Sequence, residues 1–310
     1  MTKLKTTTAA LLAATTLAAG AAHAQSQCDE ISFSDVGWTD ITTTTSTAAQ
    51  IFDALGYDVN VRVLSVPVTF ASLESDDVDV FLGNWMPSQT AAITPYLDEG
   101  TIDTVAENLT GTIYNLAVPT YTYEKGLQSY EDLADFADEL DDTIYGIEPG
   151  NEGNTYLIGL IDEDEYGMGD FTLRESSEQG MLSEVRRAVD REEDIVFLGW
   201  APHPMNANFD IQYLEGGEEF FGGEGVVNTI SRAGFVDDCP NAGKLLQQMT
   251  FTLDMENTIM GLILDEGMDA DEAVQQWLSE NPAVIEPWLE GVTTTDGEEG
   301  LPAVQQALGL

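Results

Sequence analysis

Short apolar runs alternate with amphipathic segments through the first two thirds of the chain. Alternating or continuous apolar residues predict strands at Ile31–Trp38, Asp58–Ser65, Val78–Trp85, Thr112–Tyr121, Glu193–Trp200 and Val226–Phe235, with a further strand opening the segment Thr143–Asn154. Helical spacing predicts helices at Thr45–Gly56, Val68–Ser75, Gln89–Leu97, Tyr130–Leu140, Thr155–Ile161 and Gly180–Arg191, and helices dominate from Cys239 to Leu310. This alternation is typical of an α/β fold with mainly parallel sheets flanked by helices.

Two stretches of the chain nearly repeat each other: VFLGNWMP at Val80–Pro87 and VFLGWAPHP at Val196–Pro204. In each, an apolar strand-like run stops at a glycine and then presents a tryptophan among turn-forming residues. Trp38 follows the first predicted strand in the same way. Ligands of open parallel sheets bind outside the carboxyl ends of the strands, so the pattern predicts indoles that face a ligand site.

The N-terminus has the three parts of a secretory signal. Met1–Lys5 carries two lysines, Thr6–Gly20 is apolar and rich in alanine, and Ala22–Ala24 is a small-x-small cleavage site. We expect cleavage after Ala24 and an exported protein. No later segment offers 18 uninterrupted apolar residues, so we expect no membrane insertion.

The composition is strongly acidic, with 56 Asp and Glu against 10 Lys and Arg and a formal net charge of −46 at pH 7. Charge repulsion on this scale argues against nucleic acid or an anionic membrane as a partner. The acids are spread along the whole chain, which favours a hydrated surface adapted to a salty environment over a site for a cationic ligand. The charge therefore indicates habitat rather than chemistry.

Two cysteines, Cys28 and Cys239, remain after export to an oxidising compartment. We expect a disulfide, with two free or metal-binding thiols as the alternative. It would close a loop of roughly 210 residues and contribute at most about 5 kcal/mol in the chain-entropy model. It would also make the first of two lobes discontinuous, formed by 25–113 and 210–310, with 114–209 as the second lobe and a cleft between them.

Four aromatic residues lie at comparable positions: Trp38, Trp85 and Trp200 at strand ends and Tyr114 at the presumed first crossover. Any one of these rings, taken alone, could simply cover the edge of the hydrophobic core. Together they predict exposed ring faces that bind either a sugar or a quaternary ammonium ion. The ammonium ion carries methyl groups in place of N–H donors and is attracted by ring faces, each contact contributing roughly 0.5 to 2 kcal/mol. A sugar would require many polar side chains between the rings, so the quaternary ammonium is favoured.

Two polar residues have two interpretations each, which are compatible in the case of Asp40. Asp40, two residues after Trp38, could cap the following helix or face a ligand as a counter-charge. Asn151 lies in EPGNEGN between a predicted strand and a helix, where it or Asn154 could be the helix N-cap or where its amide could face the cleft.

Four motifs together resemble one family: GWTDITTTTSTAAQIFDALGY, DVDVFLGNWMPS, YGIEPGNEGN and FLGWAPHPMNA. They are similar in order and spacing to the choline-binding periplasmic proteins of bacterial ABC importers, within the larger glycine betaine/choline-binding group. The resemblance covers most of the mature chain. It implies a two-lobed periplasmic-binding-protein fold of type II that closes on its ligand like a hinge.

The resemblance also implies the site residues and the partners. An aromatic box is implied at Trp38, Trp85, Tyr114 and Trp200, and the polar end of the ligand is implied to meet Asp40 and Asn151. The implied function is capture of choline in the periplasm for a membrane permease driven by an ATPase. We expect a monomer with no cofactor and no metal.

The tail of the ligand decides between choline and glycine betaine, which share the trimethylammonium head. A carboxylate tail would be repelled by Asp40, whereas a hydroxyl can donate to Asp40 and accept from Asn151. Choline is therefore favoured. His203, three residues after Trp200, is the exception, since a histidine there could meet a betaine carboxylate or could pack in its loop between two prolines.

An enzyme is the rival class of function. The sequence has no G-x-S-x-G motif and no cysteine poised with a base, but an acidic secreted glycosidase could use paired carboxylates such as Asp40 and Glu152. Stoichiometric binding without turnover would exclude it. The remaining indoles, Trp277 and Trp288, lie in amphipathic C-terminal segments and are interpreted as packing residues.

Overall fold

The computed structural model describes residues 28–310; the predicted signal peptide lies outside them. The strands are β1 Glu30–Asp35, β2 Asp58–Val63, β3 Val80–Met86, β4 Ile102–Pro119, β5 Thr143–Tyr145, β6 Thr172–Arg174, β7 Val196–Ala201, β8 Ile211–Tyr213 and β9 Gly225–Arg232. The α-helices are α1 Thr39–Ala54, α2 Val66–Glu74, α3 Thr90–Glu99, α4 Thr120–Lys125, α5 Glu152–Asp162, α6 Glu178–Arg191, α7 Met205–Asn208, α8 Glu218–Phe221, α9 Phe235–Asp238, α10 Pro240–Gln248, α11 Leu253–Leu264, α12 Ala270–Glu280, α13 Ile285–Trp288 and α14 Gly300–Leu308.

The long strand β4 joins two sheets. Its first part, Ile102–Thr112, pairs with β9 in a sheet of order β2-β1-β3-β9-β4. Its second part, Ile113–Pro119, pairs with β7 and β8 in a sheet that continues through β5 to β6. β4 therefore carries the chain from the first sheet to the second, and the chain returns to the first sheet between β8 and β9.

The predicted α/β class is confirmed, and the sheets are mixed rather than mainly parallel. In the first sheet β1 pairs in parallel with β2 and β3. In the second, β5 pairs in parallel with β6 and β7. β9 pairs antiparallel with β3 and β4, and β4 pairs antiparallel with β7 and β8.

Helix α1 begins at Thr39, six residues before the predicted start at Thr45. The intervening threonine run has low helix propensity and no apolar periodicity, so its pattern suggests a loop. In the structure this turn is buried, and the Thr47 hydroxyl bonds the Thr43 carbonyl at 2.8 Å. Burial of small polar side chains overrides propensity here.

β4 begins ten residues before the predicted Thr112. Three irregularities in its pairing with β9 interrupt the alternation of inward and outward side chains over Ile102–Thr112, so no period of two is present in the sequence.

The predicted helix over Tyr130–Leu140 is a 3₁₀ helix, Tyr130–Phe136, which begins with a capping box of Ser129 and Asp132.

The predicted disulfide between Cys28 and Cys239 is present, with the two Cα atoms 5.5 Å apart. It ties the residues before β1 to the junction of α9 and α10. Within residues 28–310, none of the helices has the length and apolarity needed to cross a membrane. Trp288 is buried against Phe251, and Trp277 is half-buried, in agreement with their interpretation as packing residues.

Candidate functional site

One cavity collects all six residues that the sequence predicts as ligand contacts. Its empty volume, counted with the space open to solvent, is about 330 Å³. The lining residues are Trp38, Asp40, Trp85, Ser88, Gln89, Tyr114, Ile147, Asn151, Glu152 and Trp200. Trp38 and Asp40 follow β1 and Trp85 lies on β3, all in the first sheet, whereas Tyr114 and Trp200 lie on strands of the second sheet. The cavity therefore lies between the two sheets.

Asp40 is held against the indole of Trp85. It lies in the first turn of α1, after the N-cap residue Trp38, and makes no cap bond. Its Oδ2 accepts a hydrogen bond from Trp85 Nε1 at 3.0 Å, while Oδ1 is buried without a protein partner. The bond from Trp85 thus fixes the orientation of the Asp40 carboxylate at the wall of the cavity.

Tyr114 and Trp200 are direct cross-strand neighbours on β4 and β7. Their side chains therefore project from the same face of the second sheet. From the first sheet, the ring of Trp85 meets Tyr114 edge to face, with centroids 6.2 Å apart. The rings of both sheets thus converge on one space, with Trp38, Trp85 and Trp200 largely buried.

The two near-repeats form β3 in the first sheet and β7 in the second. The prediction that each indole follows the end of its strand is wrong. β3 and β7 run through Trp85 and Trp200 and end one residue later, so the indoles lie inside the strands. The glycine of each copy is a point of close approach rather than a strand end. A Cβ on Gly83 would lie 2.9 Å from Ile41 of α1, and one on Gly199 would lie 2.9 Å from Ala117 of β4.

Asn151 is both the N-cap of α5 and a wall of the cavity. Its Oδ1 accepts from Asn154 N at 3.2 Å and from the hydroxyl of Tyr114 at 2.9 Å. The backbone donor fixes the amide orientation, which leaves Nδ2 as the group able to donate to a ligand. Gly153 permits this arrangement, because a Cβ there would lie 2.2 Å from the Tyr114 hydroxyl.

Two carboxylates of the cavity carry raised pKa values. Burial, and secondarily the charge of Glu178, raise the pKa of Asp40 to about 8. Burial raises the pKa of Glu152 to about 7. A bound cation would favour the ionised form of both groups. The sequence analysis named Glu152 only for the rival glycosidase and did not place it at the binding site, although its position beside Asn151 at the start of a helix was a usable signal.

His203 does not line this cavity. Its Nε2 lies 2.9 Å from Oε1 of Glu178, and its ring meets that of Trp200 edge to face at 4.8 Å. Its Nδ1 accepts from Met205 N, so both ring nitrogens are bonded within the protein. In this arrangement His203 packs within its loop, against Glu178 and Trp200.

The first turn of α1 meets two acidic residues that follow strands of the second sheet. Trp38 Nε1 donates to Oε2 of Glu148 at 3.1 Å. Glu178 accepts from both the backbone N–H and the hydroxyl of Thr39, each at 2.8 Å. Sequence reasoning identified neither acid, because acidic residues occur throughout the chain.

Across residues 28–310 there is no cluster of three His, Cys, Asp or Glu side chains arranged to hold a metal ion. The chemistry of the cavity is instead that of aromatic faces beside carboxylates. Such a site attracts a cation that lacks hydrogen-bond donors at its charged end, because ring faces can surround it without requiring donors.

The chain belongs to the family described as the substrate-binding domain of ABC-type glycine betaine transport systems, whose model matches residues 29–280. This is a family of transport proteins rather than enzymes, which confirms the prediction of a binding protein and removes the glycosidase alternative.

Three solved structures are similar to the chain over most of its length. An ABC-transporter choline binding protein in complex with choline is 52% identical, with a TM-score of 0.89 over 92% of this chain and 99% of the other. An ABC-transporter choline binding protein in an unliganded semi-closed conformation is 53% identical, with a TM-score of 0.84 over 92% and 100%. Lactococcal OpuAC, closed on glycine betaine, is 25% identical, with a TM-score of 0.75 over 84% and 98%.

Proposed function

We propose that this chain is the solute-binding component of an ABC importer and that its ligand is choline. The trimethylammonium head would lie among Trp38, Trp85, Tyr114 and Trp200, attracted by the negative ring faces. One observation carries the proposal: the cavity combines these rings with the carboxylates of Asp40 and Glu152, and no Lys, Arg or His is among its lining residues.

The polar end of choline matches the remaining groups. The free Oδ1 of Asp40 can accept the hydroxyl proton, and Nδ2 of Asn151 can donate to the hydroxyl oxygen. A hydroxyl would thus satisfy a buried acceptor that has no protein partner, and an unmade bond of this kind is costly. A carboxylate tail would instead meet two acidic side chains.

Capture would proceed by closure of two lobes. We propose that each sheet with its helices forms one lobe, with Ile113 opening the second lobe and the return to the first lying between Tyr213 and Gly225. This moves the return beyond the expected residue 209, since β8 pairs with β4 in the second sheet. Rings from both lobes contact the cation together only when the cleft closes, so the ligand stabilises the closed state.

The family suggests the compartment of the protein and its transport partners. We propose that the protein is exported through the leader ending at Ala24, acts as a monomer in the periplasm and presents its closed form to a permease and ATPase. The similarity to choline binding proteins at 52% and 53% identity supports this setting.

Glycine betaine is the second candidate ligand. The family description and the betaine-bound lactococcal structure favour it, and the aromatic rings would hold its head equally well. Its carboxylate lacks a basic partner in the cavity, which is why we place it second.

A fluorescence titration tests the proposal, since three of the cavity rings are indoles. Choline should change the emission of the wild type saturably at one site per chain. Trp200→Ala should lose most of the affinity, and Asp40→Ala should weaken it. Unchanged emission at millimolar choline, or full affinity in Trp200→Ala, would contradict the proposal.

A further inference from the structure

We propose that Glu178 is a positioning residue that clasps the two lobes together in the closed state. The inference rests on the proposed function, since it concerns how closure over the ligand is held. Glu178 does not line the cavity. It acts through Thr39, which lies between the cavity residues Trp38 and Asp40 in the sequence.

The contacts of the clasp cross from one sheet to the other. Thr39 follows β1 of the first sheet, whereas Glu178 follows β6 of the second. Oε2 of Glu178 accepts the Thr39 N–H, and Oε1 accepts the Thr39 hydroxyl. A parallel bond joins Trp38 Nε1 to Glu148, which follows β5.

Glu178 is itself held by the second lobe. Glu178 N donates to Oε1 of Glu148 at 3.0 Å. Because Met205 N donates to Nδ1 of His203, the proton of that ring lies on Nε2, which donates to Oε1 of Glu178. The carboxylate is thus aimed before the first lobe arrives, and a preoriented acceptor loses little entropy on closure.

The position of the carboxylate also suits the end of a long helix. α1 has 16 residues, and its N-cap residue makes no side-chain cap bond. Glu178 satisfies the Thr39 N–H from the other lobe and places a negative charge at the positive end of the helix dipole. Glu178 is fully buried and Thr39 nearly so, which strengthens these bonds relative to exposed ones.

Two substitutions weaken the clasp, one from each side. Glu178→Gln turns one acceptor into a donor, which would then face the Thr39 N–H or the His203 N–H. Thr39→Val keeps the shape of the side chain and removes only the hydroxyl. Glu192→Gln, at the exposed C-terminal end of the same helix, and Thr94→Val, on an exposed face of α3, are matched controls.

The test is a double-mutant cycle on the ligand dissociation rate, read by stopped-flow fluorescence together with the melting temperature of the ligand-free protein. We expect Glu178→Gln to raise koff by about tenfold or more and Thr39→Val by about three- to tenfold, typical of lost hydrogen bonds to a charged group. The two effects should not multiply fully in the double variant. The ligand-free melting temperature of Thr39→Val should match that of its control.

The clasp fails if both variants release ligand no faster than their controls, or if their effects multiply independently. A role confined to folding would lower the ligand-free melting temperature of Thr39→Val and leave koff unchanged. The cycle is run with choline and with glycine betaine on the same proteins. If the ligand is glycine betaine rather than choline, the wild type will be saturated by glycine betaine instead. The comparison of dissociation rates among the variants is then made with that ligand and tests the clasp independently.

Discussion

The indole N–H of Trp85 donates to one oxygen of Asp40 at 3.0 Å and leaves the other oxygen buried, unpaired and beside the cavity. Trp85 thus has two roles: its ring lines the cavity, and its N–H orients the carboxylate of Asp40. Under the proposed function, this arrangement would separate the two ends of choline, with the rings against the methyl groups and Asp40 at the hydroxyl tail.

Replacement of Asp40 by Asn should make ligand affinity weaker and less dependent on pH. The pKa of Asp40 is raised to about 8 in the ligand-free protein, so a bound cation that ionises Asp40 below pH 8 releases a proton from it. Wild-type affinity should therefore rise between pH 6 and 8, by up to about tenfold per unit. Calorimetry over this range checks it, and an equally steep profile in Asp40→Asn would contradict this role.

The same substitution should stabilise the ligand-free protein at alkaline pH. The pKa of Asp40 is higher in the folded state than the ordinary value of 3.8, so the folded state binds more protons between about pH 4 and 8. Stability from this group is therefore lost as pH rises through that window. The melting temperature of Asp40→Asn should exceed that of the wild type at pH 9, and the difference should shrink at pH 5.

Glu152→Gln should reduce discrimination between choline and glycine betaine. The second carboxylate of the cavity repels a carboxylate tail, and its removal lessens that repulsion while weakening attraction for the shared cationic head. We expect the ratio of the two dissociation constants to move toward one by several-fold. Glu163→Gln, at the exposed end of the same helix, is the control and should leave the ratio unchanged.

Loss of the disulfide should destabilise the protein without changing ligand affinity. Cys28 and Cys239 are 211 positions apart and lie outside the cavity. Constraint of so long a loop is worth about 5 kcal/mol in the chain-entropy model. Paired Cys28→Ser and Cys239→Ser substitutions should lower the denaturation midpoint in urea. A shift in choline affinity at a temperature where both forms are folded would contradict this separation.

The three indoles of the cavity were predicted from local signals in the sequence, whereas Tyr114, Asp40 and Asn151 were assigned to the site through the family resemblance. Trp85 and Trp200 follow buried runs broken by glycine, and Asn151 precedes a helix. The start of α1 was missed, since a threonine run is a poor helix former until it is buried. The clasp of Thr39 on Glu178 joins residues 139 positions apart, and no local pattern marks one acid among 56.

The most direct test of the central claim is a pair of calorimetric titrations of the wild-type protein, one with choline and one with glycine betaine, under identical conditions. We expect choline to bind at one site per chain and at least about tenfold more tightly, since a carboxylate tail would meet Asp40 and Glu152 without a basic partner. Equal or tighter binding of glycine betaine would contradict the assignment.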